Sequence, residues 1–83
     1  RYDVRSFEDL KVDMELTGTV RNVVDFGAFV DIGVKQDGLV HISQLTKKYV
    51  KHPMHVVSVG DTVKVKILSI DPEKQKISLT MKF

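Results

Sequence analysis

The chain contains no cysteine, which removes disulfide staples, a thiolate nucleophile and cysteine-ligated zinc together. No run approaches the roughly 18 uninterrupted apolar residues that a membrane-spanning helix needs. Arg1-Tyr2-Asp3-Val4-Arg5 leads into no apolar segment of the signal-peptide kind. Internal repeats and low-complexity tracts are absent as well. A surplus of one charge is nearly absent: thirteen Lys and Arg against eleven Asp and Glu leave +2, too little to imply a nucleic-acid partner from composition alone. Without a long apolar run no membrane contact is expected, and because Arg1 and not methionine opens the chain, the expectation is a piece of a longer protein.

What remains is an 83-residue chain, 42% hydrophobic and 29% charged. A chain this short buries about 60% of its unfolded surface, enough for one core but not for a deep enzyme cleft. Residues 1–13 keep neither helical nor strand period; 1–9 read as an arm or linker remnant and 10–83 as the domain. From Glu15 the pattern alternates, with Leu16, Gly18 and Val20 on one face and Thr17, Thr19 and Arg21 on the other. Phe26 to Ile32 reads as a second strand. Leu39 to Ile42 reads as a third, with Val40 and Ile42 facing one way and His41 the other.

Between Ser43 and Gly60 the period of 2 is lost. Ser43 is a candidate N-cap for a turn through Gln44 to Lys47, and His52-Pro53 puts proline at a first helical position. Asp61 to Asp71 alternates again, with Val63, Val65 and Ile67 inward, then changes parity at Leu68-Ser69-Ile70, where a bulge is expected. Asp71-Pro72 opens a type I turn, and Lys76 to Met81 forms the last strand, burying Ile77, Leu79 and Met81. Five strands with the longest connection between the third and fourth predict an all-β fold. It is a five-stranded antiparallel Greek-key barrel of the OB type, with a short helical connection between strands 3 and 4.

Phe26-Gly27-Ala28-Phe29-Val30, followed by His41, is the segment where chemistry concentrates. Strict alternation sends Phe26 and Phe29 to opposite faces, one of them into the core. Gly27 permits a bulge or sharp coiling that puts both rings on one side. In that case two rings and an imidazole form a stacking platform for bases. Lys64, Lys66, Lys76, Arg21 and Lys35, with Lys47, Lys48 and Lys51 beside Tyr49, supply positive charge that either meets phosphates or only solvates the strands.

Catalytic readings fail on their own terms. Gly33 and Gly38 have the spacing of phosphate-loop glycines, but Leu39-Val40 stands where Lys and Ser or Thr are required. His52 and His55 lack a third ligand nearby in sequence, so no metal and no cofactor is expected. Ser43 near His41 has no orienting acid at an evident position.

Taken in order, Thr17-Gly18-Thr19-Val20, Phe26-Gly27-Ala28-Phe29-Val30, Gly38-Leu39-Val40-His41-Ile42-Ser43, Gly60-Asp61 and Val63-Lys64-Val65-Lys66-Ile67 resemble the RNA-binding domain first defined in ribosomal protein S1. The resemblance covers residues 10–83. It implies an OB barrel that binds single-stranded RNA on the face of its second and third strands, with Phe26, Phe29, His41, Asp71 and Lys76 at the ligand surface. Lysine at position 76 replaces the family's frequent arginine, keeping the charge but losing the planar fork. The segments Val30 to Ser43, Tyr49 to Pro53 and Val56-Val57 resemble most the C-terminal domain of bacterial transcription accessory (Tex) proteins. That resemblance implies a multidomain cytoplasmic parent that binds nucleic acid and affects transcription. The expected partners are single-stranded RNA, with single-stranded DNA as the alternative, other domains of the parent, and transcription or translation machinery. The isolated domain is expected to be a monomer. A rival reading makes the same aromatic face a protein-docking surface.

Overall fold

Valine and isoleucine at alternate positions favour extended backbone, because branching at Cβ suits a pleated, half-buried surface. In the computed structural model, which describes residues 6–46 and 51–83, these segments form β1 (Glu15–Val24), β2 (Gly27–Asp31), β3 (Gly38–His41), β4 (Thr62–Asp71) and β5 (Lys76–Thr80). The strands close into a barrel in the order β1-β2-β3-β5-β4. Four seams are antiparallel, as the sequence led us to expect, but β3 lies parallel to β5. A chain that leaves β3, passes through the long connection, runs along β4 and turns back into β5 arrives beside β3 in the same direction.

The inward residues meet on the barrel axis. Val20, Val30, Val40, Val65, Ile67 and Leu79 are essentially solvent-free, and each contributes about 1.5–3 kcal/mol of burial. Gly18 lets β1 and β2 approach: a methyl group there would stand 2.5 Å from Val30 Cγ1. Phe7, within the stretch read from sequence as an arm, is buried with Leu10 and Met14 against the core. It belongs to a short 3-10 turn, Phe7–Asp9, whose preceding Ser6 amide donates to Asp9 Oδ2 at 3.1 Å.

Both irregularities in the barrel are parity changes. β4 shifts register against β5 between Ile67 and Ser69, at the bulge expected from the sequence. β1 shifts against β2 between Val20 and Asn22, where none was foreseen. The connection holds two 3-10 turns, Ile42–Gln44 and Pro53–His55. Pro53 occupies the first turn position after His52, as anticipated, and is buried. The first turn departs from expectation: its N-cap is His41 and not Ser43. Of the basic cluster, Lys51 is exposed, whereas Lys47, Lys48 and the neighbouring Tyr49, with the end of the turn placed at Lys47, lie outside the described residues. No helix among the described residues is long and apolar enough to cross a membrane.

Candidate nucleic-acid interface

β2 and β3 pair with Gly27 opposite His41, Ala28 opposite Val40 and Phe29 opposite Leu39. Ala28 and Val40 point into the barrel and are buried, so their neighbours Phe29, Leu39 and His41 face out. Phe26 precedes the strand, and the backbone at Gly27, with φ +157°, brings its ring to the outside. A side chain at Gly27 would run into the Val40 carbonyl and lie 3.0 Å from His41 Cα. Glycine is therefore what allows the two strands to meet this closely. The Phe26 carbonyl accepts the Ile42 amide at 2.8 Å, which ties the ring's backbone to the end of β3.

The rings of Phe26 and Phe29 share one side of the sheet, with centroids 6.2 Å apart and planes at 89°. Phe26 is 51% exposed, far more than a phenyl ring held for stability alone needs, and Phe29 is half-buried. His41 is exposed and stands diagonal to Phe29. Its Nδ1 accepts the Ser43 amide at 3.2 Å and lies 2.9 Å from Ser43 Oγ. A backbone amide can only donate, so Nδ1 carries the lone pair and the neutral ring's proton sits on Nε2. The imidazole is thus both oriented and left with a free donor.

Asp71 and Lys76 face each other across the β4–β5 hairpin. Asp71 Oδ1 accepts the amides of Glu73 and Lys74, each at 3.2 Å, so this carboxylate shapes the turn. Both residues are exposed, and no ion pair between them is found among the described residues. Lys76 stands two residues before Ser78, the partner of Leu39. It therefore lies on the aromatic face, at the end away from His41. The Gln36 amide donates to Gln75 Oε1 at 2.7 Å, joining the β2–β3 loop to this turn.

Lys64 and Lys66 stand elsewhere. Lys64 is opposite Thr17 and Lys66 opposite Glu15, on the β1–β4 seam, and Lys66 Nζ lies 6.0 Å from the centroid of the Phe83 ring. In the closed barrel β1 separates them from β2, and β5 from β3. Leu39 and Asn22 are the two members of the outer face that sequence reasoning missed. Asn22 pairs with Phe29. Its signal was available: apolar positions step by two through Leu16, Gly18 and Val20, then by three to Val23. Among the described residues, no group of three or more His, Cys, Asp or Glu side chains is placed to hold a metal.

A closed five-stranded barrel with one parallel seam and its open outer face on β2 and β3 is an OB-fold. The chain belongs to the family described as S1 RNA binding domain, whose model matches residues 9–82. Members of that family are nucleic-acid-binding modules and not catalytic ones. The chain is 67% identical over 79 residues to the uncharacterized protein YdcI of Bacillus subtilis, covering 95% of this chain and 11% of that protein. It is 56% identical over 79 residues to the transcriptional accessory protein Tex of Neisseria gonorrhoeae, covering 95% of this chain and 10% of that protein. The solution structure of GSP13 from Bacillus subtilis superposes with a TM-score of 0.82 at 41% identity, covering 94% of this chain and 58% of that one. The chain thus spans about a tenth of the curated relatives it matches.

Proposed function

We propose that this chain is a non-catalytic module that grips single-stranded RNA with low sequence preference, inside a larger cytoplasmic transcription accessory protein. The observation that carries this reading is the perpendicular pair of Phe26, exposed, and Phe29, half-buried, on one side of the sheet. Rings at right angles cannot sandwich one base; they offer separate surfaces to neighbouring bases, each stacking contact being worth roughly 1–3 kcal/mol. His41 adds a third flat surface and an N–H donor. Lys76 neutralises a phosphate at the far end of the face. Asp71 acts by holding the turn from which Lys76 projects. Lys64 and Lys66 meet phosphates only of a strand long enough to continue past β1, within the range of about 4–16 nucleotides that one OB barrel covers.

Fluorescence anisotropy with short labelled single and double strands of RNA and DNA tests the reading. The wild-type chain should bind single strands, and Phe26→Ala with Phe29→Ala should abolish most of the affinity while circular dichroism stays unchanged. A folded double variant that binds as well as wild type would remove the stacking mechanism. The rival reading, docking on a protein, is separated by salt. Phosphate binding weakens steeply as ionic strength rises, whereas an apolar protein contact hardly responds.

A further inference from the structure

We infer that Asn22 is the base-reading residue of this face, and that it selects adenine through the 6-amino group of a base stacked on Phe29; the inference rests on the nucleic-acid reading above and deepens it. Stacking accepts every base because every base has a π-face. Discrimination therefore needs a polar group at the edge of the stacked ring. Three features of the β1–β2 seam put Asn22 there.

The first is parity. Continued alternation from Leu16, Gly18 and Val20 would aim residue 22 into the barrel. The register shift between Val20 and Asn22 inserts Arg21 as an extra residue and turns Asn22 outward, where it is exposed. Bulges leave a residue unpaired and often re-aim a side chain beside a functional site. This one is held from both sides: the Val20 amide donates to the Asp61 carbonyl at 2.8 Å, and the Gly60 amide to the Val20 carbonyl at 2.8 Å.

The second is register. Asn22 is the direct cross-strand partner of Phe29, a relation that sets Cβ atoms about 4.5–5.5 Å apart. A base lying on the Phe29 ring has its edge within reach of that side chain.

The third is availability. Arg21, the other residue delivered by the bulge, is drawn away toward Asp31 at 3.8 Å and Asp37 at 3.5 Å. No hydrogen bond of the Asn22 side chain is found among the described residues. Its amide presents one donor group and one acceptor side by side. Adenine offers the complement on either accessible edge, since the 6-amino donor adjoins a ring-nitrogen acceptor on both. Across β2, the neighbour of Phe29 on β3 is the apolar Leu39, which cannot read an edge.

The test compares oligoadenylate with the same oligomer built from purine riboside, which lacks only the 6-amino group and stacks similarly. Wild type should bind oligoadenylate about fivefold more tightly, the low end of what one amide–base pair supplies. Asn22→Ala, at an exposed position, should keep its circular dichroism and bind both oligomers equally. Equal binding of the two oligomers by wild type overturns the inference and leaves the stacking reading standing. A preference that survives in Asn22→Ala does the same. Failure of wild type to bind either oligomer overturns both.

Discussion

The barrel has two outer walls built from similar strands and given different surfaces. On the β1–β4 wall, two ten-residue strands pair without a register shift from Glu15 to Thr19, and Thr17, Lys64, Glu15 and Lys66 form a charged, hydrated exterior. On the β2–β3 wall, strands of five and four residues are drawn together at Gly27 and carry phenyl rings, Leu39 and an oriented imidazole. Cationic density alone would have placed the ligand on the first wall. The rings, Phe26 exposed and Phe29 half-buried, are the ground on which the second is proposed instead. Charge is common on any soluble strand. An exposed phenyl ring set edge-on to a half-buried one by backbone geometry is not.

The contrast can be broken most forcefully at its narrowest point. Gly27→Val should destabilise the chain by about 3 kcal/mol or more, because the branch collides with the Val40 carbonyl and the backbone cannot relax without opening the seam. Thr17→Val on the other wall should stay within about 0.5 kcal/mol. Urea denaturation of both variants measures the difference, and equal stability would show that the close approach is not what shapes the face. Next in size, Phe26→Ala should weaken binding of a short single-stranded RNA by roughly 1–3 kcal/mol. Its effect on the unfolding midpoint should be small, since half the ring is already in water. Smaller again is the separation of the lysines. Lys76→Ala should reduce the magnitude of the salt slope by about 0.7 with a four-nucleotide strand. Lys64→Ala with Lys66→Ala should leave that slope alone and lower it only for strands of about twelve nucleotides. The smallest expected effect is at Arg21: its ion pairs with Asp31 and Asp37 are long and the side chain is 60% exposed. Arg21→Ala should therefore change stability by no more than about 0.5 kcal/mol in thermal or urea unfolding.

Much of this was legible in the chain before any coordinates. Val63, Val65, Ile67, Ile77 and Leu79 declared their faces by alternation, and the change of parity at Leu68 announced its bulge, because a side chain's side of a strand follows from counting by two. His52-Pro53 fixed a turn start by proline chemistry. The matching step of three from Val20 to Val23 was equally visible but lay beside the turn into β2, where loss of period is ordinary. From sequence, Asn22 consequently reads as connection. His41 departs from its sequence pattern in another way: its side chain caps the turn for which Ser43 is the sequence candidate. Imidazole can accept an amide hydrogen bond as a serine hydroxyl does, and nothing local ranks the two.

Sequence by itself determined the inward positions of β4 and β5, a glycine beside the rings that permits sharp coiling, and the presence of two phenyl rings three residues apart with an imidazole twelve residues further on. Only tertiary structure decided that Phe26 and Phe29 share a side, that β5 closes the barrel parallel to β3, and that Lys64 and Lys66 face away from the rings. The physical reason is that alternation is a property of one strand, whereas which strands become neighbours depends on closure. Closure is set by the packing of all five strands around a common core.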